Sequence, residues 1–99
     1  MTRDTIQVVA ILEAADGKAD ALHEVAHSIL EPTRAEDGCV RYELFQDLRD
    51  ENVLVFVEEW RDQTALQAHG GREHMVEAQT RMKDLLTGKP TLRFCRHIG

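Results

Sequence analysis

Two groups of histidines are the first residues in this sequence that could do chemistry. Residues 23–27 read His-Glu-Val-Ala-His, which on a helix sets two imidazoles one turn apart beside a carboxylate, as in zinc proteases. The extended zinc motif needs glycine and histidine where this chain has Leu30 and Thr33. Pro32 also follows at once, and both imidazoles fall on the border of the apolar face. We therefore interpret them as solvated histidines and predict no zinc site.

The second group is His69 and His74, which are separated by the pair Gly70-Gly71. Because the two glycines interrupt a helical pattern, both imidazoles are expected to face one cavity between a helix and a sheet, close to Trp60. The same spacing is also typical of loop histidines beside a core tryptophan. From the residues alone both interpretations stay open.

The other reactive residue types carry no local signature of a site. Cys39 and Cys95 stand alone, without a CxxC pair, and are interpreted as reduced core thiols. The pair Gly70-Gly71 lacks the strand and the spacing of a phosphate loop. No flavin, nicotinamide or iron-binding pattern is present. The sequence therefore predicts no metal and no cofactor.

Length, composition and charge exclude several classes of partner. The chain has 99 residues, of which 42% are hydrophobic, as expected for one globular domain over residues 1–99. Its net charge is −6, with scattered Lys and Arg, which argues against binding nucleic acid or an anionic membrane. The apolar run over residues 6–12 contains Gln7 and meets Glu13, so it predicts a strand rather than a signal peptide. A cytoplasmic protein is expected.

The elements that must position these side chains follow from hydrophobic periodicity. Alternation of apolar residues predicts strands, and recurrence at three and four residues predicts helices. Turn signals lie at Asp16-Gly17 and Asp37-Gly38, and Asp62 is placed to cap a short helix. The predicted order is a strand at 6–12, a helix over 22–30, a strand at 40–46, a strand at 53–60, a short helix through 65–69, a helix from 73 to 86 and a strand at 92–98.

This β-α-β-β-α-β order predicts an α+β, ferredoxin-like fold with both helices on one face of a four-stranded sheet. Residues 53–60 read VLVFVEEW. Val53, Val55 and Val57 point to one face while Leu54, Phe56 and Trp60 point to the other, so both faces are apolar. Since a large apolar face rarely stays in water, we predict that a second copy covers it and that the protein is a homodimer packed sheet against sheet.

Two longer motifs resemble a known family. The stretch from Glu36 reads E-D-G-C-V-R-Y-E-L, and the stretch from Glu58 reads E-E-W-R-D-x-x-A-L-x-A-H-x-x-x-x-H-M. In this order, and on these elements, they resemble the antibiotic biosynthesis monooxygenase family of dimeric α+β barrel proteins, and the likeness runs over nearly the whole chain. The resemblance implies a homodimer in which each subunit has a pocket between its sheet and its helices.

The resemblance also implies a reaction. Oxygenases of this family use neither metal nor flavin and act with O₂ on electron-rich quinols, phenols or polyketide-type aromatics. The protein must then ionise the substrate in a dry pocket. A phenol with a pKa near 10 gives its proton to an imidazole near 6.5 at a cost of about 5 kcal/mol, which hydrogen bonds to the phenolate can largely offset.

Roles for particular residues follow from this implied chemistry. His69 is the first candidate for the base or the oxyanion partner, and His74 is the second. The substrate pocket is assigned to Trp60, Tyr42, Phe56 and Met75, with Arg41 or Glu59 reaching it if the strand register allows.

Three alternatives remain beside this interpretation. Haem-degrading relatives carry Asn, Trp and His where this chain has Leu12, His69 and Gln79, which argues against haem degradation. A non-catalytic small-molecule binding protein would have the same fold. Isomerases of a phosphorylated autoinducer intermediate share two features with this chain. One is part of the pattern of the second strand, at Arg41, Tyr42, Glu43, Gln46 and Asp47. The other is the Leu-Thr-Gly sequence that ends the last helix, at Leu86, Thr87 and Gly88.

Overall fold

The structure, a computed structural model, describes residues 5–99 as an antiparallel sheet with helices on one face. The strands pair in the order β2-β3-β1-β4, which together with the element order defines the predicted α+β, ferredoxin-like fold. The elements are β1 (Ile6–Glu13), α1 (Ala19–Ser28), α2 (Leu30–Arg34), β2 (Cys39–Gln46), β3 (Val53–Trp60), α3 (Gln63–Gly70), α4 (Glu73–Met82) and β4 (Thr91–Arg96).

Side-chain alternation in the two central strands separates a buried face from a half-covered face. In β1 and β3, every second residue is buried under the helices, as with Leu54 and Phe56. The opposite face also carries apolar side chains, and the register aligns Ile11, Val55 and Phe45 across three strands. Ile11 is 39% exposed and Phe45 is 50% exposed, so this chain leaves part of an apolar sheet face open.

The first helical segment divides where the sequence predicted a single helix ending near Leu30. Helix α1 ends at Ser28, and the short α2 begins at Leu30 with Pro32 as its third residue. A proline is accommodated there because the first-turn N–H groups of a helix have no partner within the helix. Leu22, Val25 and Ala26 are buried, as their spacing predicts.

The second helical segment divides at the two glycines, as predicted. Asp62 caps α3 by accepting a hydrogen bond from the backbone N–H of Ala65 at 2.9 Å. Helix α4 then begins at Glu73 and ends at Met82, four residues before the predicted end. Leu86 leaves the helix because its backbone bridges to Ala14.

The last strand is shorter than the residue pattern predicts. Strand β4 ends at Arg96, and Ile98 lies beyond it with 83% of its surface exposed. Within the described part of the chain, none of the helices has the length and apolar character needed to cross a lipid bilayer.

Candidate functional site

A cavity of about 900 Å³ lies between the buried face of the sheet and the helices α3 and α4. Its floor is formed by side chains of β1, β2, β3 and β4, and Leu66 and Met75 approach from the helices. Most of the lining is apolar. The polar and charged side chains among the described lining residues are Thr5, Tyr42, Glu58, Gln63, Gln67, His69, Gln79 and Arg96.

Glu36 brings the two candidate histidines together from outside the cavity. It lies just after α2, and its side chain is 4% exposed. Its Oε2 atom is 2.8 Å from Nδ1 of His69 and 2.8 Å from Nε2 of His74. Thr33 adds a hydroxyl 3.2 Å from the same His74 nitrogen. The two imidazoles therefore share one carboxylate oxygen.

The second oxygen of Glu36 is enclosed as well. Within residues 5–99, Oε1 has no hydrogen-bond partner, although Nε of Arg72 approaches it at 3.5 Å. An enclosed carboxylate oxygen is costly unless a charge lies nearby. The arrangement therefore depends on Arg72 and on the two histidines.

The His69 ring is held from several sides. Its centroid is 4.6 Å from the ring of Trp60 and 5.5 Å from the ring of Tyr42. These aromatic contacts and the Glu36 hydrogen bond fix the orientation of the imidazole. Since Nδ1 is bound to Glu36, Nε2 is the nitrogen left for the cavity that His69 lines.

Burial and charge set the protonation of this ring. Burial lowers the pKa of His69 below its ordinary value of 6.5, although the Glu36 carboxylate acts in the opposite direction. The imidazole is therefore mainly neutral at pH 7, the form that accepts a proton. Burial, followed by the nearby Glu58, raises the pKa of Tyr42 above its ordinary value of 10, so this phenol stays protonated.

A second titratable group faces the cavity from the sheet. Glu58 is 5% exposed, and its Oε1 atom accepts a hydrogen bond of 2.9 Å from Nε1 of Trp60. Burial raises the pKa of Glu58 from 4.5 to about 7, the Trp60 hydrogen bond opposes this shift, and Glu36 adds to it.

One cluster among the described residues has the composition of a metal site. Glu36, His69 and His74 each offer a ligand atom, and these atoms lie within 4.8 Å of one another. Two imidazoles and one carboxylate are typical ligands of divalent transition metals. His23 and His27 form no such group in residues 5–99; their rings stand edge to face, with centroids 6.2 Å apart.

The structure distributes the predicted site residues over four places. His69, Tyr42, Phe56 and Met75 line the cavity. Trp60 is fully buried against the His69 ring, and His74 lies on the far side of Glu36.

Arg41 and Glu59 do not line the cavity. The strand register pairs them with each other on the opposite face of the sheet, and Arg41 forms an ion pair with Glu43 at 3.5 Å. Their assignment to the pocket is therefore corrected: alternation along β3 directs Glu58, and not Glu59, toward the helices.

Sequence reasoning missed Glu36 and Glu58 as site residues. Glu58 could have been found, because it has the same parity in β3 as the inward-facing Phe56 and Trp60. Glu36 begins one of the recognised motifs, yet no local pattern links it to histidines that follow 33 and 38 residues later.

This fold and this site define a class of protein. A split β-α-β sheet carries a largely apolar cavity under its helices, and a carboxylate and histidine pair lies at the cavity wall. The chain belongs to the family described as antibiotic biosynthesis monooxygenase, whose model matches residues 5–81.

Individual relatives are similar over most of their length. A protein of Mycobacterium tuberculosis named "Putative monooxygenase Rv0793" is 32% identical over 87 residues, which cover 88% of this chain and 84% of the relative. "Putative monooxygenase YcnE" of Bacillus subtilis is 29% identical over 82 residues, covering 83% and 86% of the two chains. The crystal structure of PA3566 from Pseudomonas aeruginosa superimposes with a TM-score of 0.92 at 30% identity, covering 97% and 96%. These similarities support a role of the monooxygenase type in general.

Proposed function

We propose that this protein is a cofactor-independent monooxygenase that oxidises a small quinol, phenol or polyketide-type aromatic with O₂. The observation that carries the proposal is the pair formed by Glu36 and His69, with 2.8 Å between Oε2 and Nδ1, at the wall of a largely apolar cavity. This pair provides a neutral, oriented base at a largely apolar cavity, and ionising an electron-rich aromatic requires such a base.

The proposed first step is a proton transfer. The hydroxyl proton of the substrate moves to Nε2 of His69, and the resulting imidazolium is stabilised by the Glu36 carboxylate at Nδ1. The volume of about 900 Å³ suits one or two aromatic rings and lies in the usual range of small-molecule sites. Apolar lining residues such as Phe56 and Met75 hold the rings and exclude water.

The electrons for oxygen reduction come from the substrate itself. With hydroquinone as the example, one oxygen atom enters the ring, the other leaves as water, and the product is hydroxybenzoquinone. Atoms and electrons balance without an external reductant. The role of the protein is then to deprotonate the substrate and to hold the resulting anion beside O₂.

The working form is proposed to be a cytoplasmic homodimer packed sheet against sheet. The support is the open apolar row of Ile11, Val55 and Phe45. A second copy would cover this face with the same row, since a twofold interface brings the same patch of both subunits together.

The test is oxygen uptake by metal-stripped protein over a panel of reduced quinols and phenols. The proposal expects uptake above autoxidation, and a decrease of about a hundredfold or more in His69→Ala, as is typical for the loss of a general base. His27→Ala removes an imidazole outside the cavity and should leave uptake unchanged. Boiled protein sets the background.

Two results would contradict the proposal. If uptake requires added metal, then the cluster of Glu36, His69 and His74 acts as a metal site and the reaction is not cofactor-independent. If no member of the panel is oxidised, while a phosphorylated sugar is isomerised without oxygen, then the isomerase alternative is correct.

A further inference from the structure

Glu58 is a buried acid that the proposed proton transfer to His69 does not use. The register places it opposite Val8 of β1 and Tyr42 of β2, so its side chain points to the helix face of the sheet. It is 5% exposed and lines the cavity. Among the lining residues that the structure describes, it is the only carboxylate. A carboxylate is rarely placed in a largely apolar cavity without a partner.

The known partner of Glu58 occupies only one of its two oxygens. Nε1 of Trp60 donates to Oε1 at 2.9 Å, which fixes the orientation of the carboxyl group. Within residues 5–99 the second oxygen, Oε2, has no hydrogen bond, and since Glu58 lines the cavity, this oxygen can contact a group bound there. A carboxyl held at one oxygen presents a preorganised contact at the other.

The pKa of the Glu58 carboxyl group is set by its surroundings. Burial and Glu36 raise the pKa of Glu58 to about 7. Tyr42 lies opposite it, and His69 and Arg96 border the same cavity. Both the acid and the carboxylate form of Glu58 are therefore accessible near neutral pH, which suits a group that exchanges a proton with a ligand.

Glu58 and His69 belong to different elements, and both contact the indole ring of Trp60. Glu58 meets the N–H edge of Trp60 from the sheet, and His69 packs on the same indole from α3 with 4.6 Å between ring centroids. Both proton-accepting groups therefore lie beside the same indole and line the same cavity. A flat aromatic molecule in the cavity can contact both.

We propose that Glu58 is a second catalytic residue, which accepts a hydrogen bond and then the proton from a second hydroxyl group of the substrate. One hydroxyl binds at Nε2 of His69 and the other at Oε2 of Glu58. In the transfer, the O–H bond of the ligand breaks and a carboxyl O–H bond forms. This inference rests on the proposed function and deepens it: the site selects aromatics with two hydroxyl groups over those with one.

The test compares hydroquinone with para-cresol, in which a methyl group replaces one hydroxyl at nearly the same size. Binding is measured without oxygen, from the fluorescence of Trp60, the single tryptophan of the chain. Wild-type protein should bind hydroquinone about tenfold more tightly, as expected for one hydrogen bond to a charged group. In Glu58→Gln this preference should fall below about threefold.

The neighbouring Glu59→Gln is the matched control, because Glu59 is also buried but points to the opposite face. It should keep the wild-type preference. A second measurement needs no variant: the preference of the wild-type protein should increase as the pH rises through about 7, because the ionised carboxylate is the stronger acceptor.

Each outcome decides the inference. An unchanged preference in Glu58→Gln, an equal loss in Glu59→Gln, or no binding of either probe to wild-type protein would overturn it. Because the assay contains no oxygen, loss of the preference in Glu58→Gln supports the inference even if oxygen uptake is absent. In that case the proposed monooxygenase activity fails and the role of Glu58 as a ligand contact stands.

Discussion

Oε2 of Glu36 lies 2.8 Å from Nδ1 of His69, across 33 residues of sequence. The same oxygen is 2.8 Å from Nε2 of His74. One carboxylate thereby orients two imidazoles, and only the His69 ring continues to the cavity. The chemical difference between two similar histidines is set by this third residue, which comes from the loop after α2.

Replacement of Glu36 by Gln should reduce turnover more than substrate binding. The amide keeps the size of the side chain but stabilises an imidazolium poorly, so kcat should fall by about tenfold or more while KM changes little. Because Glu36 raises the pKa of His69 against burial, the variant should also lower the pKa of His69 further. Oxygen uptake as a function of pH and NMR titration of the imidazole measure both effects.

The exposed Glu31, in the first turn of α2, provides the control for Glu36. Glu31→Gln should match the wild-type protein in kcat and in the acid limb of the pH profile. Protonation of His69, whose pKa lies below the ordinary 6.5, should add a loss of wild-type activity in that acid range, since the protonated imidazole cannot act as a base. An acid limb unchanged in Glu36→Gln would show that this carboxylate does not act on the base.

Glu58 should make the protein less stable as the pH rises. Its pKa is about 7 when folded and 4.5 when freely solvated. A raised pKa means that the folded state binds the proton more tightly, so its contribution is fully present below pH 4.5 and is lost as the pH rises through about 7. The loss is about 3 kcal/mol for this shift. Urea unfolding at pH 5 and pH 8 measures it.

Comparing variants separates the contribution of Glu58 to the pH dependence of stability from the contributions of other titrating groups. In Glu58→Gln, the difference in unfolding free energy between pH 5 and pH 8 should shrink by most of this amount, whereas Glu59→Gln should retain the wild-type difference. Fluorescence of Trp60, which donates to Glu58, should show a transition near pH 7 in the wild-type protein and in Glu59→Gln, but not in Glu58→Gln. A persistent transition in Glu58→Gln would assign it to another group.

Gly38 should be far less tolerant of alanine than Gly17. Both residues have positive φ, 88° and 73°, a conformation that costs an L-residue about 1–2 kcal/mol. A Cβ at Gly38 would also lie 2.5 Å from Cβ of Ala65 in α3, while a Cβ at Gly17 meets nothing within 4 Å. Gly38→Ala should therefore destabilise the protein by about 1–3 kcal/mol more than Gly17→Ala.

The steric clash between a Cβ at Gly38 and Ala65 should also disturb the candidate site. Gly38 is two residues from Glu36, and Ala65 is one helical turn before His69, so separating them would lengthen the bond between Glu36 and His69. Thermal unfolding measures the stability of both variants, and His69 titration measures the site. An equal loss of stability in the two variants would mean that α3 shifts to accommodate the new Cβ without a free-energy cost.

A charge on the open sheet face should dissociate the proposed dimer. Val55 lies at the centre of the row with Ile11 and Phe45, and Val55→Asp would bury an unpaired carboxylate in a sheet-to-sheet interface. Sedimentation at micromolar concentration should give a dimer for the wild-type protein and a monomer for Val55→Asp. Asp50→Asn, in the exposed β2–β3 hairpin, should remain dimeric. A monomeric wild-type protein would contradict the proposal.

Local patterns in the sequence determined the elements and the family. Alternation of apolar residues in 6–12 and 53–60 predicts β1 and β3, and the two glycines before Arg72 predict the break between α3 and α4. These signals are local because strand and helix periodicity depend on neighbouring residues. The ends of elements were less predictable, as at Leu86, where a bridge to Ala14 replaces the last helical turn.

The tertiary structure decided which charged residues meet at the site and how burial changes their protonation. A pair of adjacent glutamates, Glu58 and Glu59, is divided between the two faces of the sheet by the register of β3. Glu36 meets His69 and His74 only because α3 and α4 pack beside the loop after α2. The physical reason is that strand pairing and helix packing join residues distant in sequence, and burial then sets the pKa values of His69 and Glu58.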